Sequence, residues 1–432
     1  MRNYTMINHG IISCNAQCRR RAARYLRLKE AGPIMIGAKV NQMQIEIYLD
    51  NSATTRQYDD VTALMAEVAA NKYGNPSSLH TKGIEAEKLV SSARKQIADS
   101  LGAEPKEIYF TSGGTESNNL AIRGYLDANP RKGRHIITTK VEHPSVMEVY
   151  RHLEEQGYRV DYLSVDDKGS IDLRELRDKI SAETSLISFI LVNNETGAIQ
   201  PIDRIAAIRD ELNPQTVIHA DAVQAYGKLR ILPEKSGIGL MSLSSHKIHG
   251  PKGEGALYVS RRIRIKPLFY GGGQEALIRS GTENVPGIAG LGLAAAMIFE
   301  ILEANYDKAC NLKKRFIEML AVSGIEHRVN SPEDASPYVI NISFADVRAE
   351  VLLHHLEQRG IFVSTGSACS SHKNTRSHVL TAMGVPAALT DGAIRFSLSG
   401  FNTQEEIEQT VDALKEIIPM IDIKRRYKKK GV

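Results

Sequence analysis

Residues 238–253 read Ile238-Gly-Leu-Met-Ser-Leu-Ser-Ser-His-Lys-Ile-His-Gly-Pro-Lys-Gly253. An apolar run of strand character ends in two serines, and Lys247 follows with histidines at 246 and 249 before a Gly/Pro exit. Small residues make the tight turn, and glycine lets backbone approach a ligand closely, so the stretch presents one lysine to a cavity at a strand end. A lysine amine left partly deprotonated by desolvation or by a nearby cation attacks carbonyl carbon, which makes Lys247 a candidate Schiff-base former. A solvated surface lysine is the other reading of this stretch alone, and the neighbouring strands decide between them.

Working outward, strand character recurs at Ile108–Phe110, His135–Thr138, Arg159–Leu163, Leu186–Val192, Val217–His219, Ile238–Leu243 and Ala256–Val259. Helical spacing lies between most of them, notably at 115–127, 145–156 and 203–212, and an amphipathic stretch over 82–101 stops at Gly102. This alternation predicts an α/β fold with a large domain built on a mostly parallel seven-stranded sheet. After Gly287 the rhythm changes to a long helical stretch over about 288–322, a strand near Tyr338–Phe344, a helix near 349–359, a strand at Ile394–Leu398 and a last helix near 403–418. That pattern predicts a smaller α+β domain. The expected division is a basic, poorly ordered extension over 1–46, a large domain over 60–300, a small domain from 47–59 with 301–420, and a basic tail over 421–432.

The 432 residues carry a net charge of +5, concentrated at the two ends. Eight Lys/Arg face two acids in residues 1–46, and six basic residues fall between Lys424 and Lys430; the body between them holds 41 basic and 48 acidic residues. A net acidic body argues against a nucleic-acid-binding core, so direct nucleic-acid binding is not expected. No apolar run approaches a membrane span, and four scattered cysteines make no disulfide framework, so a cytoplasmic protein is expected. The basic start reads as a miscalled beginning, with Met35 and Met43 as later starts, or else as a basic arm or an organellar transit peptide.

In a doubly wound sheet the ligand sits beyond the carboxyl ends of the strands. Ile108–Phe110 runs into Thr111-Ser-Gly-Gly-Thr-Glu-Ser117, where Gly114 and Thr115 at a helix N-terminus make an anion cradle suited to phosphate, or simply a capped helix. His135–Thr138 leads to Glu142-His143-Pro144, and that histidine can stack on a ring or shuttle a proton. Leu186–Val192 ends in Asn193-Asn194-Glu195, an amide to bind a carboxylate or to build a turn. Val217–His219 ends in Asp221-Ala-Val-Gln224, a carboxylate able to hold a pyridinium nitrogen or to cap a helix. A phosphate cradle, a ring-stacking histidine, a ring acid and an imine lysine thus fall at strand ends of one sheet.

Taken with Tyr48-Leu-Asp-Asn-Ser-Ala-Thr-Thr55, Gly74-Asn-Pro-Ser-Ser78, Arg279-Ser-Gly-Thr282 and Gly366-Ser-Ala-Cys369, these motifs resemble the cysteine desulfurase family of pyridoxal 5'-phosphate (PLP) enzymes, from about Tyr48 to Ile418. The resemblance implies the PLP-dependent transferase fold type I. It implies that Lys247 holds the cofactor covalently, Asp221 the pyridine nitrogen, His143 the ring face and Gln224 the ring hydroxyl. Gly114, Thr115, Ser244 and His246 would bind the phosphate, joined by Thr282 from the other subunit of a homodimer. Asn194 and Arg395 look like the substrate-carboxylate pair, a role suited to a guanidinium fork.

Lys247, Cys369 and His143 are the catalytic residues the resemblance implies, with L-cysteine as substrate. Cys369 lies in Ser364-Thr-Gly-Ser-Ala-Cys-Ser-Ser-His-Lys-Asn-Thr-Arg376, a small, polar stretch that predicts an exposed thiol on a mobile loop (363–377), with Lys373 and Arg376 to favour its thiolate. In the family this cysteine takes the substrate sulfur as a persulfide and passes it to an acceptor protein, an iron–sulfur scaffold or a tRNA-thiolation enzyme. No resident metal is expected, although Cys369 could ligate a cluster iron during transfer. A selenocysteine lyase, an aminotransferase, a turnover-free scaffold, or a tRNA-binding role of the basic ends are the rival readings. Arg56 stands where the family pattern has proline, and the first 46 residues have no family counterpart.

Overall fold

The computed structural model describes residues 46–365 and 376–422. The basic extension, the Cys369 stretch with Lys373, and the Lys424–Lys430 run lie outside the described residues. A short first strand, β1 (Ile47–Tyr48), precedes seven strands of one sheet: β2 (Ile108–Thr111), β3 (His135–Thr139), β4 (Arg159–Leu163), β5 (Thr184–Ile190), β6 (Val217–Asp221), β7 (Leu240–Ser244) and β8 (Gly255–Val259). Their order is β2-β8-β7-β6-β5-β3-β4. Strands β7, β6, β5, β3 and β4 pair parallel, while β8 runs antiparallel to both of its neighbours. The mostly parallel seven-stranded sheet expected from the apolar runs is therefore present. Strands β5 to β8 are buried at every position, as in a sheet covered on both faces, so they read as continuous apolar runs rather than alternating ones.

Helices Thr81–Leu101 and Val285–Glu300 bury Val90, Ile97, Ile288 and Leu291 in one apolar core with the sheet. Leu120, Tyr125, Val146 and Tyr150, from Gly114–Ala128 and Pro144–Glu155, form another. The first of these helices ends where the sequence predicts, with Gly102 in the left-handed region at φ 61°.

Strands β9 (His327–Val329), β10 (Val339–Phe344), β12 (Ser364–Thr365) and β13 (Ala393–Ser397) make a four-stranded antiparallel sheet in the order β12-β13-β10-β9. The remaining strand, β11 (Ile361–Phe362), pairs parallel with β1. Leu312, Phe316, Phe344, Phe396 and Leu414 pack in this second core, to which Ile47 and Leu49 also belong.

The long helical stretch expected over about 288–322 is two helices, Val285–Glu300 and Leu302–Ala321, bent by 68°. Each half serves a different core: Ile288 and Leu291 pack with the large sheet, Phe316 and Leu320 with the small one. The break at Ile301 satisfies both, with no proline or glycine to announce it. Among the described residues no single helix is long and apolar enough to cross a membrane.

Candidate active site

The site forms where β2, β6 and β7 end. Gly113 caps the helix Gly114–Ala128 with no side-chain bond, so the first-turn N–H groups face outward with the positive end of the helix dipole. Its φ of 142° with ψ −177° is a conformation for glycine alone. A Cβ on Gly255 would lie 2.7 Å from Gly113 Cα, and one on Gly114 would lie 2.6 Å from Val223 and 3.6 Å from Ser244 Cβ. The two glycines thus let the cradle close onto the ends of β7 and β8. Thr115 is exposed at its mouth, Ser244 is buried and His246 half-buried.

Asp221 is the last residue of β6, two residues beyond the strand end read from sequence, and it pairs across to Ile190 and to Ser242. One carboxylate oxygen accepts from Val223 N at 3.0 Å and the other from Asn118 Nδ2 at 2.8 Å. Asn118 Nδ2 also donates to Ser145 Oγ at 2.9 Å, which lies 2.8 Å from His143 Nδ1. Ser145 N donates to the same nitrogen at 3.1 Å, so Nδ1 is an acceptor and the neutral imidazole carries its proton on Nε2. Burial pushes His143 below the usual histidine range against the pull of Asp221, and the charges of Lys247 and His378 add to the downward shift. The ring is therefore neutral near neutral pH.

Lys247 sits in the single turn after β7, and its Nζ donates to the carbonyls of Ser52 and Ala53 at 2.5 and 2.7 Å. Gln224 Nε2 donates to the same Ser52 carbonyl at 2.8 Å. Burial, helped by the charges of Lys247, Lys252 and Lys228, pushes His246 down to about 4, so it acts as a neutral ring. Arg395 on β13 is buried; its guanidinium donates to Asn194 O at 3.0 Å and to Asp50 Oδ1 at 2.9 Å, while Nε has no hydrogen-bond partner among the described residues. The backbone of Asn194 thus meets Arg395.

Thr282 is exposed in the segment after Arg279, whose guanidinium holds Glu116 at 2.9 Å beside the cradle. Burial pushes the Glu116 carboxyl up, but the bonds from Arg279 and Ser112 outweigh it and hold the group below its ordinary value.

These residues fit PLP on chemical grounds. The uncapped helix start with Ser244 and His246 suits a phosphate dianion, Asp221 at the bottom of the site suits a protonated ring nitrogen, and Lys247 suits an aldehyde carbon. Asn118, Ser145, Asp50 and Lys228 join the site without having been singled out in the sequence. Asn118 left one usable signal: with Ser117 it is a polar pair on the buried face of a helix whose Leu120, Ala121 and Tyr125 are core.

A family model described as Aminotransferase class-V matches residues 47–410. The chain is 44% identical over 382 residues to a Methanosarcina thermophila protein named cysteine desulfurase IscS, an alignment covering 88% of this chain and 94% of that protein. A solved structure titled NIFS-like protein superposes with a TM-score of 0.82 at 38% identity, covering 87% of this chain and 100% of that one. Another, titled SspA in complex with cysteine, superposes with a TM-score of 0.74 at 34% identity, covering 83% and 100%.

Proposed function

The chain belongs to the class-V aminotransferase family and, within it, to the PLP-dependent cysteine desulfurases, and from that premise we propose how its own residues divide the work of taking sulfur from L-cysteine. The observation that carries the proposal is the meeting of Lys247, Gln224, Asp221 and His143 at adjoining strand ends beside an uncapped helix start. PLP, when bound, supplies an electron sink that lets bonds at the amino acid's Cα and Cβ break.

Gly114, Thr115, Ser244 and His246 hold the phosphate, with Thr282 contributed across a homodimer. Exposed Phe269, Tyr270 and Leu277 flank the Thr282 segment and favour such an interface. Asp221 keeps the ring nitrogen protonated, and Gln224 donates to the ring oxygen. Arg395 and the Asn194 amide bind the substrate carboxylate; the guanidinium Nε is a donor still to be used.

The Lys247 amine takes the Cα proton and later returns a proton to Cβ. His143, neutral with its proton on Nε2, offers that N–H as a hydrogen-bond donor toward the reacting groups. Cys369 as thiolate attacks the substrate Sγ: the new S–S bond forms as Cβ–Sγ breaks, the electron pair stays on the carbon skeleton, and one proton delivered to Cβ and another returned to Cα complete alanine while Cys369 keeps the sulfur as a persulfide. An acceptor protein, an iron–sulfur scaffold or a tRNA-thiolation enzyme, then takes that sulfur. A nucleophile that must stay a free thiol between turnovers calls for a reducing compartment, which favours the cytoplasm.

The test is a visible spectrum of the purified protein followed by L-cysteine, with alanine and sulfide assayed together. The expected result is an absorbing cofactor and alanine formation. A Cys369→Ala variant should keep the absorbance and lose sulfide release, and normal turnover in that variant would defeat the scheme.

A further inference from the structure

Lys228 is a buried, chemically capable side chain that the scheme above does not use. Gly227 at φ 70° turns the chain so that Lys228 points back toward Gln224, four residues earlier, and a Cβ at Gly227 would meet Ile248 at 2.6 Å. Lys228 is 6% exposed, and its amine donates to Gln224 Oε1 at 2.7 Å, with the Tyr338 ring centroid 5.8 Å away. Burial, reinforced by the charges of Lys247 and Arg395, pushes it down to about 7. A buried amine near two other cations is costly, and exchange for an apolar residue would relieve that cost.

An amide has an accepting end and a donating end. At Gln224, Ser52 O can only accept and the Lys228 amine donates, so turning the amide over would set oxygen against oxygen and N–H against N–H. We propose that Lys228 is a positioning residue for the cofactor: it fixes the Gln224 amide with its oxygen turned away and its NH2 turned into the site, so that Gln224 meets the ring oxygen of PLP as a donor. The second Gln224 N–H is the one offered, because the first is held by Ser52 O. The inference rests on the reading of Gln224 as the ring-oxygen ligand.

The experiment uses the full chain as wild type, Lys228→Met, Gln224→Ala, the double variant and Lys228→Arg. Two readouts are taken: the dissociation constant of PLP from the apo-protein by equilibrium dialysis, and the visible absorption maximum of the loaded protein. Lys228→Met should weaken PLP about tenfold, the scale of one lost hydrogen bond, and move the absorption band. Gln224→Ala should do the same, and the double variant should be no worse than Gln224→Ala, since Lys228 acts through that amide. Lys228→Arg keeps a donor and should bind within about threefold of wild type.

An unchanged band and affinity in Lys228→Met, alongside a real effect of Gln224→Ala, overturns the inference alone, as does a double variant whose losses multiply. No effect of Gln224→Ala overturns the reading of Gln224 and the inference with it. If Lys228→Met does not fold, Lys228→Arg decides: a folded arginine variant that loses PLP overturns the positioning role.

Discussion

Glu142, next to His143, is fully buried and gives a quantity that can be measured without cofactor or substrate. Its Oε1 accepts from Thr139 Oγ1 at 2.6 Å and from Ile190 N at 3.0 Å, while Oε2 has no partner among the described residues. Burial outweighs those bonds, with the charge of Asp221 adding to it, and pushes the carboxyl from 4.5 up to about 8. The folded chain thus keeps a proton that the unfolded chain sheds above the ordinary value, so stability falls as pH rises from there toward the folded value. Each pH unit in that window costs about 1.4 kcal/mol. Between about pH 5 and about pH 7 the loss from this residue is therefore about 2 to 3 kcal/mol. Glu142→Gln keeps an oxygen for both donors and cannot ionise, so the slope disappears while any fixed cost of the new NH2 shifts all pH values alike. Urea unfolding of apo wild type and Glu142→Gln at one protein concentration should give stability curves that diverge by that amount across the window, the variant gaining. Parallel curves would refute the reasoning, because they would mean that Glu142 is already ionised in the fold.

Arg395→Lys keeps the charge but loses the planar fork between Asn194 O and Asp50; the KM for L-cysteine should rise about tenfold or more, with kcat less affected. An unchanged KM would take Arg395 out of the carboxylate site. Asn118→Ala strips one donor from both Asp221 and Ser145, and PLP affinity measured by equilibrium dialysis should fall about tenfold. Full retention of affinity would show that the bridge from Asp221 to His143 has no part in holding the cofactor.

The large sheet was legible because strands buried on both faces must be apolar throughout, and each ended in polar or glycine residues that stood out against the run. The same criterion stops β6 at His219, whereas pairing with Ile190 and Ser242 carries it on to Asp221. That difference matters, since a residue within a ladder has a fixed direction that a loop residue lacks. The break at Ile301 was not legible, because two separate cores decide it and no local residue does. Asn118 and Lys228 were hidden for opposite reasons. Asn118 reaches a partner 103 residues away, while Lys228 reaches one only four residues away but looks in sequence like any solvated lysine.

The residues Asp50 to Thr55 show why a run of small polar side chains precedes the large sheet. Asp50 binds Arg395 of β13, and Ser52 N donates to Ser397 Oγ of the same strand at 2.8 Å, so the run is fastened to the small sheet. Its carbonyls at Ser52 and Ala53 receive Lys247, and Thr55 N donates to His246 O at 3.0 Å, so it is fastened to the lysine turn as well. One loop therefore sets the spacing between the proposed carboxylate site and the reactive amine, and bulky side chains would part the two anchors. Arg56, where the family pattern has proline, falls outside this set: its guanidinium turns to exposed Asp59 and lies 5.6 Å from the Phe401 ring centroid, while its carbonyl accepts from His249 Nδ1 at 2.8 Å. Proline would present the same carbonyl, so the departure leaves the loop that positions the lysine intact.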